Sequence, residues 1–227
     1  IFAAGLGTRM LPITSNLPKP LIKIHNKSIL RTNIEKLLDA GFEKIIVNAF
    51  HLPNKIINEV KDYYPMVEVI IEKERLETGG GVLNAIKQGY LEKKEPVLLL
   101  NGDVFWINKI YDSLDKIQSK WDSSFMDMLL SLTKKENFFG YQGKGDFEIS
   151  NPKKKASSVF LNRECSYAYT GLQIVKPELI CKKKKIFSIK DTIYKLCKKN
   201  QALGYIDKNP WFHIGTHEDL IKFENNF

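Results

Sequence analysis

The stretch Ile1-Phe2-Ala3-Ala4-Gly5-Leu6-Gly7-Thr8-Arg9-Met10 opens the chain, and Pro18-Lys19-Pro20 follows it. Ile1, Phe2 and Ala3 read as the end of a buried strand, so residues 4–7 form a loop at its carboxyl end. Gly5 and Gly7 let that loop bend and leave consecutive N–H groups free to face one anion. Open α/β sheets bind ligands at this edge. A Gly-containing turn after a strand is the plainer reading, and Gly-x-Gly alone does not beat it. Two familiar phosphate loops fail. A dinucleotide fingerprint needs a third small residue where Met10 stands, and a P-loop needs Gly-Lys-Ser/Thr where the chain has Thr8-Arg9-Met10. Arg9 and Lys19 are the cations left to serve a phosphate. The sequence is expected to begin inside this strand, with a few residues preceding Ile1.

Outward from this stretch the pattern alternates. Ser28 can cap a helix with apolar positions Leu30, Ile34, Leu37 and Leu38, and Gly41 ends it. Residues 44–48 read as a buried strand, Pro53 as the first turn of a helix to about Tyr63, and residues 67–72 as another strand. Gly79-Gly80-Gly81 leads into a helix with Val82, Ala85, Ile86 and Gly89. Residues 97–100 form a fourth strand, ending in Asn101-Gly102-Asp103. Strands alternating with helices imply an α/β fold, its sheet mostly parallel and covered on both faces. After about residue 120 the texture changes: 126–132, 138–142, 147–150, 158–161 and 167–175 read as strands, 189–199 as a helix, 211–215 as a strand and 217–224 as a helix. The expectation is one domain, 1–227, with a nucleotide-binding half over about 1–120 and an acceptor half over about 121–227.

The chain has 227 residues, enough for one large core and too few for two comfortable domains. No apolar run approaches the roughly 18 residues of a membrane span, and no leader is visible, so a cytoplasmic location is expected. The three cysteines, Cys165, Cys181 and Cys197, show neither a disulfide framework nor zinc spacing, and read as inert thiols. The net charge of +9 raises nucleic acid as a partner. Only Arg9, Arg31, Arg75 and Arg163 are Arg, however, and base-edge readers favour the planar Arg fork. The Lys runs at 153–155, 182–185 and 198–199 read as solvated surface. A basic balance suits a small anionic substrate.

Three further segments carry candidate chemistry. Asp103 puts a carboxylate at the ligand edge, where Mg²⁺ could be held with substrate phosphates completing its shell; an Asp at a strand-to-loop turn is the commoner meaning. Leu76-Glu77-Thr78-Gly79-Gly80-Gly81 suits a flat nucleobase lying against bare backbone, or simply a flexible loop. Trp211-Phe212-His213-Ile214-Gly215-Thr216 ends a strand near the same edge, and His213 is either a satisfied histidine or part of the site.

In this order the segments resemble the sugar-1-phosphate nucleotidyltransferases, or nucleoside-diphosphate-sugar pyrophosphorylases. The matching stretches are Ala3–Arg9 with Pro18-Lys19-Pro20, Leu76–Gly81, Asn101–Val104, Tyr169-Thr170-Gly171 and Trp211–Thr216, spanning nearly the whole chain. Within the family, Asn48-Ala49-Phe50-His51-Leu52, Leu76–Gly81, Asn101–Val104 and Gly145-Asp146-Phe147 are most similar to the N-acetylmuramate α-1-phosphate uridylyltransferase branch, which serves peptidoglycan recycling and the cell wall.

The resemblance implies a Rossmann-like, glycosyltransferase-A-like fold with a mixed, mostly parallel sheet flanked by helices. It implies attack of a sugar-1-phosphate oxygen on the α-phosphorus of an NTP, UTP in this branch, with pyrophosphate leaving. The nucleophile is already an anion, so no Ser/His or Cys/His pair is required, and alignment and charge neutralisation must carry the reaction. Arg9 would clamp the β- and γ-phosphates and Lys19 would neutralise charge at the α-phosphate, its prolines restricting the backbone. Ala4, Gly5 and Gly7 would contact the nucleotide, and Glu77 and Gly80 the base. Asn101, Asp146, Thr170 and Gly171 would contact the sugar, and Asp103 would hold Mg²⁺. The family usually has Asp where His213 stands, as the second metal ligand. Imidazole suits Mn²⁺ or Co²⁺ better than Mg²⁺. Asp103 then holds the metal alone, or His213 selects a softer ion, or the enzyme is slow or inactive. The Glu-Lys pair that many relatives place before the Thr-Gly strand is missing from Arg163-Glu164-Cys165-Ser166. A monofunctional enzyme is expected, without an appended acyltransferase domain. The rivals are thymidylyl-, guanylyl- or cytidylyltransfer to another sugar or a choline-like phosphate, and a non-catalytic sugar-nucleotide binding protein. The last should lose the phosphate clamp, yet Arg9 and Lys19 are both present. The sequence sets no oligomeric state.

Overall fold

The computed structural model describes residues 1–180 and 184–227. Cys181 and the lysines at 182 and 183 lie outside the described residues. The chain divides into two compact units. One comprises Ile1–Arg75, Asn101–Phe105 and Phe212–Phe227; the other comprises Leu76–Leu100 and Trp106–Trp211. Each unit draws on separated stretches of chain.

The first unit holds the parallel sheet. Phe2–Ala3 pairs with Ile45–Ala49, which pairs with Val67–Ile71, both in parallel. On its other side Phe2 bridges Asn101, also in parallel. Short buried strands of Ile, Val and Ala need helices over their faces, and two amphipathic helices lie in this unit. Ile29–Asp39 starts where the Ser28 hydroxyl accepts the Arg31 N–H at 3.0 Å, and it buries Ile29, Leu30, Ile34 and Leu37. Pro53–Val60 begins with its proline and runs into a 3₁₀ turn, Lys61–Tyr63. The third helix, His217–Asn226, is closed by a capping box between Thr216 and Asp219. Phe105 stacks on Phe212 at 4.9 Å between centroids, and Phe223 meets both edge-on at 5.5 and 5.3 Å. This cluster ties Asn101–Phe105 to the C-terminal segment inside the unit.

The second unit holds a six-stranded mixed sheet in the order Glu148–Ile149, Ser157–Phe160, Ala202–Ile206, Met128–Lys134, Tyr167–Val175, Val97–Leu100. All its pairs are antiparallel except Ala202–Ile206 with Met128–Lys134. The strands Lys23–Ile24, Lys27–Ser28, Val104–Trp106 and Ala202–Ile206 and the helix Ser113–Lys120 were not expected from sequence. The helix is polar apart from Leu114 and Ile117, and Asp112 caps it by accepting from the N–H groups of Leu114 and Asp115. The strand expected over 138–142 stops at Phe139, because Gly140 turns with φ 75°. Cys165 and Cys197 are buried free thiols. Asp207 is wholly buried; Asn209 N–H donates to its Oδ1 at 2.9 Å. Burial pushes its carboxyl up, against the lowering effect of Asn209, Ser113, Tyr111 and Trp211. Among the described residues no helix is long and apolar enough to cross a membrane.

Candidate active site

In the first unit the chain leaves the Phe2–Ala3 strand into the loop expected to hold a phosphate. Gly7 takes φ 64°, and its carbonyl accepts from Met10 N–H and from the Thr14 hydroxyl, both at 2.8 Å. A Cβ on Gly7 would lie 2.8 Å from Thr14 Cγ2. Glycine is therefore required here by both conformation and space. Met10 is fully buried, so the position that breaks a dinucleotide fingerprint is the apolar anchor of the turn. Asn48 holds the root of the loop: its Oδ1 accepts Ala3 N–H at 2.9 Å and its amide donates to Glu72 at 2.6 Å. Gly5 and Arg9 are exposed and Ala4 is half-buried. A Cβ on Gly5 would meet nothing within 4 Å. Arg9 makes no hydrogen bond or ion pair among the described residues.

Lys19 sits in a 3₁₀ turn, Lys19–Leu21, closed by Leu21 N–H to the Pro18 carbonyl at 2.8 Å. Its side chain is only 8% exposed. Asn101-Gly102-Asp103 runs alongside. Gly102 N–H donates to the Phe2 carbonyl at 2.9 Å, and a Cβ there would lie 2.5 Å from that oxygen and 3.2 Å from Pro20 Cγ. This close approach brings Asp103 beside Lys19. The Lys19 ammonium donates to Asp103 Oδ2 at 2.6 Å, and His213 Nε2 lies 3.0 Å from the ammonium and 3.3 Å from the same oxygen. Burial raises the Asp103 carboxyl, but contact with His213 and the Lys19 charge outweigh it and hold the group well below the usual carboxylate range. Three residues far apart in sequence thus meet at one point, beside the end of the Phe2–Ala3 strand.

Sequence reasoning missed Thr14, Asn48, Gly102 and Gly215. The two glycines stand one and two residues from Asp103 and His213, a spacing that could have marked them as close-approach positions.

A hard cation can be tested against these donors. Among the described residues no group of three or more His, Cys, Asp and Glu is placed to hold a metal. Asp103 Oδ2 is engaged by Lys19, while Oδ1 makes no hydrogen bond among the described residues. One carboxylate oxygen fits Mg²⁺, which commonly takes one or two carboxylates and fills its shell with phosphate oxygens and water.

The remaining expected residues lie in the second unit. Glu77 opens the helix Glu77–Lys87 with φ 62°, a strained conformation for a non-glycine residue. The glycines after it correct one expectation. Gly79 and Gly80 N–H both donate to the Phe187 carbonyl, at 3.0 and 3.1 Å, so these amides are not bare. A Cβ on Gly79 would lie 2.4 Å from the Phe187 ring, and one on Gly80 2.4 Å from the Lys185 carbonyl oxygen. The chain's own segment makes the close approach that these glycines permit. Asp146 Oδ2 accepts Tyr169 N–H at 2.9 Å. Thr170 is fully buried, and its hydroxyl donates to the Ser131 carbonyl at 3.0 Å, so its side chain cannot face a sugar. With Gly171, at φ 87°, it lies where the register of Tyr167–Val175 shifts.

The comparisons with known proteins cover the same length. A family model described as nucleotidyl transferase matches residues 1–227. An N-acetylmuramate alpha-1-phosphate uridylyltransferase of Caulobacter vibrioides is 28% identical over 99% of this chain and 94% of its own length. A solved UDP-glucose pyrophosphorylase complexed with UDP-glucose shares the fold, with TM-score 0.78 and 18% identity over 99% of this chain and 95% of that one. HddC from Yersinia pseudotuberculosis, complexed with GMP-PN, superposes with TM-score 0.74 and 26% identity over 100% of this chain and 97% of that one.

Proposed function

The chain belongs to the nucleotidyl transferase family, and on that footing we propose that it joins UTP and N-acetylmuramate 1-phosphate to give the uridine-diphosphate sugar and pyrophosphate. A sugar-phosphate oxygen attacks the α-phosphorus, the bond to the β-phosphate bridging oxygen breaks, and that oxygen carries the electron pair away. The observation that carries the reading is the Lys19 ammonium, nearly buried and held 2.6 Å from Asp103 beside the Gly5–Gly7 loop. A fixed cation there suits a reaction between two anions that needs no general base.

Lys19 neutralises charge developing around the α-phosphate. Arg9, exposed and without a partner among the described residues, clamps the β- and γ-phosphates. Ala4, Gly5 and Gly7 give backbone contacts to the nucleotide. Asp103 Oδ1 is the atom that would hold Mg²⁺, which supplies further charge neutralisation on the triphosphate when bound. Glu77 serves the base, and Asn101, Asp146 and Gly171 contact the sugar phosphate. Uridylyl and N-acetylmuramate specificity rest on the Caulobacter relative. A guanylyl reading is the rival that one observation favours, the likeness to HddC in complex with GMP-PN.

The test is pyrophosphate release with each NTP against a panel of sugar-1-phosphates. UTP with N-acetylmuramate 1-phosphate should turn over fastest. A preference for GTP or CTP would move the chain to another branch, and no release with any pair would remove the enzyme reading.

A further inference from the structure

His213 stands where the family resemblance leads one to expect a carboxylate ligand for the metal. Its contacts give it different work. Nε2 is either a donor or an acceptor, never both. As a donor it would point N–H at an ammonium 3.0 Å away, which has no lone pair to offer, and its bond to Asp103 Oδ2 would be 3.3 Å long. Charge-assisted N–H···O⁻ bonds run about 2.7–2.9 Å. As an acceptor it takes one ammonium proton at 3.0 Å, a normal length, while Asp103 takes another at 2.6 Å. The second arrangement gives the ammonium two acceptors at its two shortest contacts, and leaves Nε2 and Asp103 Oδ2 facing each other across the longer 3.3 Å without a proton between them.

The ring also has a prepared seat. A Cβ on Gly215 would come within 3.0 Å of His213 Cε1 and 3.3 Å of Nδ1, so glycine at 215 leaves the imidazole its room. Gly215 and Thr216 N–H both donate to Asp219 Oδ2, at 3.0 and 2.8 Å, which fixes the backbone that carries the ring. Lys19 is fixed at its root between Pro18 and Pro20. Its four-carbon stem still has to be held at the tip if one N–H is to meet a phosphate in a single place.

We propose that His213 is a positioning residue for Lys19, accepting one ammonium proton through Nε2, and is not a ligand for the metal. With Nε2 and Asp103 each holding one proton, one N–H of Lys19 remains for the substrate. The lone pair that a cation would need is already engaged. The catalytic part of this inference rests on the nucleotidyl-transfer reading, while the geometric part does not.

Three readouts test it on the full chain. The first is the ¹H–¹⁵N spectrum of lysine ammonium groups, without substrates. A protected Lys19 signal, assigned by its loss in Lys19→Ala, should be present in the wild type, vanish in His213→Ala and return in His213→Gln, whose Oε1 can accept in place of Nε2. The second is Mn²⁺ binding to the nucleotide-free protein, which His213→Ala should leave within about twofold. The third is turnover: His213→Ala should lower kcat about tenfold with the NTP KM unchanged, a loss confined to the transition state, and His213→Gln should restore most of it. No protected signal in the wild type, a signal that survives His213→Ala, Mn²⁺ binding weakened about tenfold, or Gln no better than Ala would each overturn the assignment. A wild type that transfers no nucleotide would sink the functional reading instead, leaving the ammonium and Mn²⁺ results to decide the role of His213.

Discussion

Gly102→Ala should damage both the fold and the site, because Gly102 is where the two are joined. The added methyl would lie 2.5 Å from the Phe2 carbonyl oxygen and 3.2 Å from Pro20 Cγ. Comfortable contacts to carbon begin near 3.5 Å, so one side must give by about 1 Å. The oxygen cannot move freely, since it accepts Gly102 N–H at 2.9 Å and Phe2 is paired with Asn48. Overpacking of this kind costs about 1–3 kcal/mol, and the weakened hydrogen bond adds about 0.5–1.5 kcal/mol. Together they make roughly 2–4 kcal/mol, or a Tm lower by about 5–15 °C for a chain of this size. A displacement of about 1 Å between Asp103 and Lys19 should also cost about a hundredfold in turnover. Thermal unfolding by circular dichroism and pyrophosphate release measure the two effects. A variant with wild-type Tm and wild-type kcat would show that the strand end yields easily and that Gly102 does not set the Lys19–Asp103 pair.

Gly5→Ala provides the contrast: its methyl meets nothing within 4 Å, so Tm should hold while the methyl crowds a bound phosphate and raises the NTP KM about tenfold; a fall in Tm without a change in KM would reverse that assignment. Lys19→Ala should leave the circular dichroism spectrum intact and cut kcat by about 10²–10³, and near-normal turnover would remove its role. The same variant tests the acid limb of stability. The depressed Asp103 carboxyl stabilises the fold above the ordinary carboxylate pKa, and that contribution is lost as pH falls toward its folded value; acid unfolding of Lys19→Ala should show less of this loss. Asp207 carries the opposite sign, because burial raises its carboxyl. Its ionisation costs stability progressively as pH rises past the ordinary carboxylate pKa, so Asp207→Asn, which keeps an acceptor for Asn209 N–H, should raise Tm at neutral pH and make no difference in strong acid. Equal Tm values across the pH range would mean the cluster around Asp207 already pays for the charge.

The parts of the site set by local sequence were legible. A strand end, two glycines, a cation and a lysine between prolines describe the first unit's loop, because each needs only its neighbours in the chain. The sequence puts Asp103 at the end of an apolar strand, and the structure sets Asn101 beside Phe2, a pairing that the apolar run alone does not specify. What escaped depends on distant partners. Nothing near Gly79 says that the Phe187 ring would rest on it, and nothing near Thr170 says that Ser131 would bury its hydroxyl. Ala202–Ile206 was missed because Gly204 interrupts its β pattern; a Cβ there would lie 2.5 Å from Val159 Cγ1 on the neighbouring strand. The division into units was equally hidden, because hydrophobic periodicity reports which face of an element is covered and not which segment covers it.

Lys19, Asp103 and His213 stand 84 and 110 residues apart along the chain, and this spacing has a consequence for the protein as it is made. At about 5–20 residues per second, the ribosome needs roughly ten to forty seconds to pass from Lys19 to His213. Through that interval the strand and loop of the first unit can form, but the ammonium lacks its full set of partners. Closing so large a loop costs chain entropy before any contact rewards it. A nascent chain therefore carries the Ala4–Gly7 loop before it carries a positioned lysine.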